Sequence, residues 1–321
     1  MVQYRKAVAS DRDEILDLIN YVFSFDHCPH DFKKRDPKRY GSDYPFWEEH
    51  YVAEEEGKLL ATLSVTKRDW HGMSCGHVGQ VCVHPYHRGR GFMKVLMNMA
   101  IEDMEREGFV FAELNGLRQR YEYFGFSQGG VRYRCTVTPT NLRHKPAVSG
   151  SDLSLLPAEK GSYTVQKNGA TAGLISPNQI ILGDEADLPA VLSLYFDVSG
   201  QQEYQCTLSP YHKERLRILT SFCEEISLEQ SMQYRVFRFR DLITQCLEQR
   251  KDLWDGAVSF APEGESPFTV RVSQKTLQVE DCSQPQPQTD RLTLQTRLLG
   301  LVPSSLLPEE MAKTNWFPLS L

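Results

Sequence analysis

A stretch between residues 81 and 97, with the sequence VCVHPYHRGRGFMKVLM, constrains the fold of this chain more than any other. It begins as a β-branched strand, continues through a proline and a basic turn, and ends with apolar residues at helical spacing. Gly89 and Gly91 let the backbone approach a bound group closely, and Arg88 and Arg90 add positive charge. Because the first N–H groups of a helix lack partners within it, the turn suits an anion such as a pyrophosphate. The alternative is a basic turn in which the glycines serve only the backbone conformation.

The residues around this stretch predict an α/β (α+β) fold in which helices flank a mixed sheet. Apolar residues recur at helical spacing after Ser10, and again from Phe92 to about residue 107. Alternating or β-branched runs predict strands at 4–8, 50–53, 58–67, 77–83, 109–114 and 133–137. This order of elements is typical of a mixed sheet with at least one crossover helix.

The length of 321 residues favours more than one domain, because single domains commonly contain about 100–200 residues. Residues 138–159 are rich in Pro, Ser and Asn and show little periodicity, which is typical of a boundary. We therefore predict a first domain over 1–145, a middle region over 146–232 and a C-terminal α+β domain over 233–321. Strict alternation, a helix, a hairpin and a Leu-rich segment mark the last of these.

Composition and charge argue against several classes of partner. The net charge of −6 disfavours a nucleic acid, because phosphate binding requires a basic face. The sequence has no apolar run as long as a membrane-spanning helix and no secretory signal, so we expect no membrane partner and a cytoplasmic location. The eight cysteines lack the spacing of a zinc site, which predicts free thiols and no metal.

Two motifs resemble those of a known family. The stretch from Val81 to Met93 resembles the acetyl-CoA motif of the GCN5-related N-acetyltransferases (GNAT), and residues 121–126, YEYFGF, resemble the Tyr-x-x-x-Gly-Phe segment of that family. The resemblance covers residues 1–145. It implies a GNAT fold, acetyl-CoA as co-substrate, and transfer of acetyl to a primary amine of a cationic small molecule or a lysyl side chain. The residues that it assigns to acetyl-CoA are Val81, Cys82, Val83, Arg88, Gly89, Arg90, Gly91, Phe92, Met93, Lys94, Gly116 and Leu117.

Met93 stands where most of the family has a small residue. A bulky residue there is usual in the Eis-type (enhanced intracellular survival) acetyltransferases, which the chain resembles most within the family. Those enzymes end in a sterol-carrier-protein-like domain, and residues 233–321 are similar to it. They usually have a complete second acetyltransferase-like domain in the middle, so 146–232 would be an abbreviated or degenerate form of it. The sequence leaves a homo-oligomer open as the assembly.

Tyr121, the first residue of the second motif, has two interpretations. The resemblance implies that its phenol is the general acid that stabilises or protonates the departing CoA thiolate. The alternative is an aromatic ring that only packs beneath the turn at Gly125. For the base, the Eis-type resemblance implies the C-terminal carboxylate of Leu321. Glu113 is the second candidate, and its alternative is an ordinary solvated carboxylate on a strand.

A segment rich in aromatic and acidic residues follows the first predicted helix. Aromatic rings with carboxylates favour a cationic acceptor, but the same residues could form a hydrophobic mini-core with a charged rim. They are Phe25, Phe32, Tyr40, Tyr44, Phe46, Trp47, Asp26, Asp31, Asp43, Glu48 and Glu49. We expect His84 and His87, which flank the basic turn, to be surface residues. The alternative function is a protein that holds acyl-CoA or a lipid without turnover.

Overall fold

The computed structural model describes residues 1–26, 29–41, 43–143, 153–158, 161–177, 179–209, 212–248, 255–282 and 287–300. These residues form two compact units. The first contains residues 1–128 and the described residues from 232 onward, and the second contains the described residues from 129 to 231. None of the described helices is both long enough and apolar enough to cross a membrane.

The elements are numbered in chain order. The strands are β1 (Gln3–Lys6), β2 (His50–Glu55), β3 (Lys58–Trp70), β4 (Met73–Val83), β5 (Phe111–Leu114), β6 (Ser127–Gly129), β7 (Arg132–Val137), β8 (Leu153–Pro157), β9 (Tyr163–Lys167), β10 (Ala170–Ser176), β11 (Gln179–Leu182), β12 (Tyr204–Leu208), β13 (Glu225–Glu229), β14 (Met232–Val236), β15 (Gly256–Phe260), β16 (Phe268–Ser273) and β17 (Thr276–Asp281). The α-helices are α1 (Arg12–Asp26), α2 (Phe32–Arg35), α3 (Pro37–Tyr40), α4 (Phe92–Arg106), α5 (Arg118–Tyr121), α6 (Pro139–Leu142), α7 (Leu188–Ser199), α8 (Lys213–Leu219), α9 (Phe239–Glu248) and α10 (Arg291–Leu299).

A seven-stranded mixed sheet with the order β1-β2-β3-β4-β5-β14-β6 forms the centre of the first unit. Strands β1 to β4 pair antiparallel, as do β5 and β14, whereas β4 and β5 are parallel and are connected by α4. This arrangement confirms the predicted α/β fold with a mixed sheet, flanking helices and a crossover helix.

Helices α1 and α4 cover opposite faces of this sheet. Val52 belongs to the core cluster that contains the buried side chains of α1, whereas Tyr51 and Ala53 belong to the cluster that contains those of α4. Because successive side chains of a strand point to opposite faces, the two clusters lie on the two sides of β2. Helix α4 packs closely here, since a Cβ added to Gly76 of β4 would overlap the sulfur of Met104.

Two strands pair elsewhere than the sequence analysis expects. The predicted strand at 133–137, assigned there to the first domain, lies in β7, the central strand of the sheet β12-β7-β13 in the second unit. The strand at the start of 233–321 is β14, which pairs with β5 in the sheet of the first unit. Alternation identifies a strand but does not identify its neighbour in the sheet. The division into three domains stays a prediction.

The second unit contains the sheet β12-β7-β13 and a second, four-stranded sheet with the order β11-β10-β9-β8. Helix α7 contributes the largest helical share of its core, through Leu188, Val191, Leu192, Tyr195 and Phe196. Asp184 accepts a hydrogen bond from the backbone N–H of Ala186 just before this helix, and Gly200 ends the helix with a φ of 68°.

Candidate active site

Strands β4 and β5 separate where the predicted acetyl-CoA residues begin. Their parallel pairing runs from Cys75 and Phe111 to Val78 and Leu114, and stops there. Strand β5 ends at Leu114, whereas β4 continues to Val83. The result is an opening between the two strands, in which the backbone groups of β4 beyond Val78 are not used by β5.

An irregularity in β4 lies beside this opening. Thr62 of β3 is opposite Cys82, but Ser64 is opposite Gly79, so β4 has one extra residue between these pairs. Gln80 within the extra stretch has a φ of 44°, and its side chain hydrogen-bonds the hydroxyl of Ser64. Bulges of this kind redirect backbone groups next to active sites.

One cavity of about 1220 Å³ occupies the opening and extends to the start of α4. It brings together both motifs. Every residue that the sequence analysis assigns to acetyl-CoA lines it, namely Val81, Cys82, Val83, Arg88, Gly89, Arg90, Gly91, Phe92, Met93, Lys94, Gly116 and Leu117, and Tyr121 lines it as well. Lining residues that the sequence reasoning did not select include Phe23, Gly79, Gln80, Asn115, Tyr123 and Phe124.

The basic turn before α4 requires its glycines. Gly89 has a φ of 80°, and Gly91, the N-cap of α4, has a φ of 83°. A Cβ at either position would meet no atom within 4 Å, so backbone conformation and not crowding selects glycine. The first helical bond runs from the N–H of Val95 to the C=O of Gly91 at 3.3 Å. The N–H groups of Phe92 to Lys94 thus lie at the exposed start of the helix, where an anion is stabilised.

Both arginines of the turn are bound to carboxylates. Arg88 donates to Asp26 at 2.7 Å, and Arg90 donates to both oxygens of Glu55 at 2.8 Å. The hydrogen bond from Arg90 lowers the pKa of the Glu55 carboxyl. Each arginine therefore lines the cavity with much of its charge already balanced by a carboxylate. The local sequence does not reveal these ion pairs, because the partners are distant in the chain.

Tyr121 both packs and faces the cavity. Its side chain is 8% exposed, and its ring lies edge-to-face with Phe126 at a centroid distance of 6.4 Å. A Cβ added to Gly116 would overlap the ring, so the glycine is needed for the ring to lie here. The side-chain amide of Gln233, on the distant strand β14, donates to the C=O of Gly116 at 2.6 Å. Burial raises the pKa of Tyr121, and the charge of Arg120 partly opposes this.

Of the two candidate bases, Glu113 lies within the described residues and Leu321 does not. Glu113 is only 1% exposed, so it is not the solvated strand carboxylate expected as its alternative. It accepts hydrogen bonds from Arg68 at 2.8 Å and from His77 at 3.0 Å, and it does not line the cavity. These two contacts hold the buried carboxylate in a fixed place. Leu321 lies outside the described residues.

The aromatic segment after α1 is mostly core. Tyr40 and Phe46 are buried in the cluster of α1, with ring centroids 5.1 Å apart, and Phe32 and Trp47 pack against the same cluster. For these residues the structure supports the mini-core interpretation and not an open acceptor pocket. Of the carboxylates in the segment, Asp26 lines the cavity.

The two histidines of the basic turn, expected to be surface residues, are half-buried. The rings of His84 and Tyr21 stack at a centroid distance of 5.2 Å, and the ring of His87 lies 5.2 Å from that of His84. Burial lowers the pKa of His84, and the positive charges of His87 and Arg88 contribute. Neither histidine lines the cavity.

Comparisons with known proteins agree with this geometry. Residues 3–129 match a family model described as an acetyltransferase (GNAT) domain. No curated protein sequence matches the chain. Among solved structures, the chain is similar to a GCN5-related N-acetyltransferase from Kribbella flavida, with a TM-score of 0.64 and 12% identity over 93% of this chain and 88% of that chain. It is also similar to a GCN5-related N-acetyltransferase from Anabaena variabilis, with a TM-score of 0.65 and 13% identity over 94% of this chain and 90% of that chain.

Eis1 from Mycobacterium abscessus is also similar in fold, with a TM-score of 0.60 and 11% identity over 94% of this chain and 90% of that chain. At these identities the solved structures establish a shared fold along almost the whole chain. The family model adds a sequence match over the part that contains the splayed strands and the basic turn. Residues 3–129 are therefore similar in sequence to an acetyltransferase (GNAT) domain, within a fold shared along almost the whole chain.

Proposed function

We propose that this chain transfers an acetyl group from acetyl-CoA to a primary amine of a cationic small molecule or of a lysyl side chain. The observation that carries the proposal is the single cavity that joins three features: the opening between β4 and β5, the exposed start of α4, and the ring of Tyr121. A CoA thioester needs these three features in one place, because it has a pyrophosphate, an extended amide-bearing arm and a reactive sulfur.

In this proposal acetyl-CoA is a substrate that spans the cavity. Its pyrophosphate binds the N–H groups at the start of α4, from Gly89 to Lys94. Its pantetheine arm pairs with backbone groups of Val81 to Val83, in the manner of an added strand. The sulfur end then lies near Gly116 and Leu117, which line the same cavity as Tyr121.

Tyr121 is the proposed general acid. Between an ordinary thiol with a pKa of about 8.5 and an ordinary phenol with a pKa of about 10, proton transfer to the thiolate is uphill by about 2 kcal/mol, and the raised pKa of Tyr121 adds to this cost. The burial that raises the pKa of Tyr121 keeps its proton in place until the thiolate forms. The nitrogen of the neutral amine forms a bond to the acetyl carbon, the bond from that carbon to sulfur breaks, and the phenolic proton neutralises the sulfur. One N–H proton of the attacking nitrogen then restores the phenol of Tyr121.

Within the GNAT acetyltransferases, we assign this chain to the Eis type. The likeness in fold to Eis1 of M. abscessus along most of both chains supports it, as does the bulky Met93 at the start of α4. In this assignment residues 233–321 would be the sterol-carrier-protein-like part and the carboxylate of Leu321 the base. In the described part of the chain, β14 of that segment pairs with β5 of the acetyltransferase domain.

Arg90 gives a test of how CoA is held. We expect Arg90→Gln to raise the Kd of CoA about tenfold, because it removes a charged donor next to the pyrophosphate. We expect Glu55→Gln to lower the Kd a few-fold, because Glu55 now competes with phosphate for the same guanidinium. Titration calorimetry at two salt concentrations measures both effects. Arg106→Gln, at the far end of α4, is the matched control. An unchanged Kd in both variants would place the pyrophosphate away from Arg90.

The direct test of the function is thiol release from acetyl-CoA. We expect the full chain to release CoA in the presence of at least one member of a panel of polyamines, aminoglycosides and lysyl peptides, and mass spectrometry of the acceptor should show one added acetyl group. Tight CoA binding by calorimetry without release for any amine would contradict acetyl transfer and favour a non-catalytic acyl-CoA or lipid-binding protein.

A further inference from the structure

We infer that Gln80 is a positioning residue for the CoA thioester. Its side chain, held by the hydroxyl of Ser64, keeps the bulge of β4 in the backbone conformation that turns Val81 and Val83 toward the opening between β4 and β5. This inference rests on the proposed function and deepens it, because it names the pair of side chains on which the binding of the pantetheine arm depends. Both residues belong to the first unit, and Gln80 lines the cavity.

The backbone of Gln80 is unusual for its place in the fold. Among the described residues, six residues other than glycine have a positive φ, and five of them lie in turns between paired strands. Gln80, with a φ of 44°, is the sixth and lies inside β4. Left-handed backbone in a bulge usually belongs to glycine, because a side chain makes it unfavourable. Gly79 is the adjacent residue, yet Gln80 takes this conformation.

The side chain of Gln80 gives a physical reason for this choice. Its amide oxygen accepts a hydrogen bond from the hydroxyl of Ser64 on the neighbouring strand β3. Ser64 is 0% exposed, so its hydroxyl needs a partner within the protein. A glycine at position 80 would relieve the backbone but would remove that partner. The hydrogen bond therefore stabilises the left-handed conformation that glutamine otherwise disfavours.

The bulge changes the face of the sheet on which the following residues lie. Val78 belongs to the core cluster of α4, and simple alternation would place Cys82, four residues later, on that same face. Instead Cys82 belongs to the cluster of α1, and Val81 and Val83 pack against the cluster of α4. The extra residue of the bulge thus shifts 81–83 by one position.

The same shift sets the direction of the backbone groups. The N–H of His84 donates to a C=O of β3 at 2.8 Å. Successive residues of a strand direct their N–H and C=O groups to alternate sides, so Cys82 also faces β3. Val81 and Val83 therefore face the other side, which is the opening. In agreement, the C=O of Val83 accepts from Arg88, which lines the cavity, at 3.4 Å.

Val81 and Val83 thus offer backbone donors and acceptors to the amide groups of the pantetheine arm, which pairs with β4 as an added strand. If Gln80 relaxed to extended backbone, the shift of one position would be lost and these groups would turn away from the opening. The pyrophosphate, by contrast, binds at the start of α4 and makes no use of the bulge. The hydrogen bond between Ser64 and Gln80 therefore controls the binding of one part of CoA and not of the other.

Ser64→Ala tests this dependence with two ligands, CoA and 3′-phosphoadenosine 5′-diphosphate, which is CoA without the arm. We expect the Kd of CoA to rise about tenfold, because only a fraction of the molecules keeps the competent bulge. The Kd of the fragment should change less than about twofold, since its site at α4 is intact. Titration calorimetry measures both. Thr62→Val is the matched control: it removes another buried hydroxyl, two residues away on β3, whose acceptor is the C=O of Tyr51.

Gln80→Gly in the Ser64→Ala background separates positioning from general damage to the fold. Glycine adopts a positive φ without a side-chain partner, so we expect the double variant to bind CoA at least about threefold more tightly than Ser64→Ala alone. Loss of packing cannot be repaired by removal of a second side chain. A double variant that binds CoA no more tightly than Ser64→Ala would overturn the inference, as would an equal loss of affinity for CoA and for the fragment.

These measurements are independent of turnover, so they separate the two proposals. If the wild-type chain binds CoA but acetylates no amine, the proposed acetyl transfer fails, and the Kd values still decide the role of Gln80. If the wild-type chain is active and Ser64→Ala binds CoA as tightly, only the role of Gln80 is overturned. Should Ser64→Ala not fold, Gln80→Ala is compared with Gln80→Gly. The alanine variant lacks both the hydrogen bond and the freedom of glycine, so its Kd for CoA should be about tenfold higher, and equal values would overturn the inference.

Discussion

Tyr121→Phe is expected to lower kcat for acetyl transfer by about 10²-fold or more, because a general acid contributes typically 10²–10⁴-fold. The variant removes one oxygen and keeps the ring, so the packing against Gly116 and Phe126 is retained. We expect the Kd of CoA to change less than about threefold, since the phenol is assigned to the leaving thiolate and not to cofactor binding. Steady-state thiol release and calorimetry with CoA measure the two quantities.

Tyr123→Phe is the matched control for this prediction. Tyr123 lines the same cavity and is 66% exposed, and the ammonium of Lys94 lies 5.1 Å from the centre of its ring. The same loss of one oxygen there should leave kcat within about threefold. Equal rates for Tyr121→Phe and the wild-type chain would show that the ring of Tyr121 only packs.

The pH dependence of acetyl transfer gives a second test of Tyr121. A phenol has an ordinary pKa of about 10, and burial raises that of Tyr121. The acid is therefore protonated throughout the neutral and mildly alkaline range, and loss of activity from its ionisation should appear only above about pH 10. An alkaline limb near pH 8 that disappears in Tyr121→Phe would contradict this environment.

Gln295→Leu should be among the most destabilising single substitutions in the first unit. The side chain, on α10, is 2% exposed and its amide nitrogen donates to the C=O of Tyr234 and the hydroxyl of Ser127, both at 2.6 Å. Its oxygen accepts from the N–H of Val236 at 2.7 Å. Leucine is similar in size but leaves these buried groups without partners, at about 1–3 kcal/mol each. We expect the free energy of unfolding of this unit to fall by about 3 kcal/mol or more.

Urea unfolding followed by circular dichroism measures this loss. Gln128→Leu, an exposed position on β6, is the same substitution without buried partners and should change the free energy by less than about 0.5 kcal/mol. Because Gln295 joins α10 to β14 and not to the cavity, acetyl transfer by the fraction that remains folded should keep its KM. A loss below 1 kcal/mol would show that water replaces the amide.

Local pattern was enough to predict the strand, basic turn and helix from Val81 onward, because all of the groups concerned are close in the chain. The same holds for the position of Tyr121, which follows β5 within a few residues. The environment of Glu113 could not be predicted this way. Its partners Arg68 and His77 come from neighbouring strands 45 and 36 residues earlier in the chain, and only the sheet register sets them beside it.

The sequence also could not identify β14 as the strand that pairs with β5. Strand β14 pairs with it after the whole second unit has intervened, and alternation in 233–240 gives no information on the partner strand. The aromatic segment after α1 shows a different limit. Rings such as Tyr40 and Phe46 suit a ligand pocket and a small core equally well in composition, and burial decides between them.

Ribosomal synthesis delivers the two parts of the first unit at different times. When residues 1–128 have emerged, β5 still lacks β14, and the C=O of Gly116 still lacks the amide of Gln233. A nascent chain at that stage, or a proteolytic fragment that stops there, has an open strand edge beside Tyr121, and such edges promote aggregation. Although the family model matches residues 3–129, the smallest piece in which β5 has a neighbouring strand on both sides is discontinuous and extends at least to Val236.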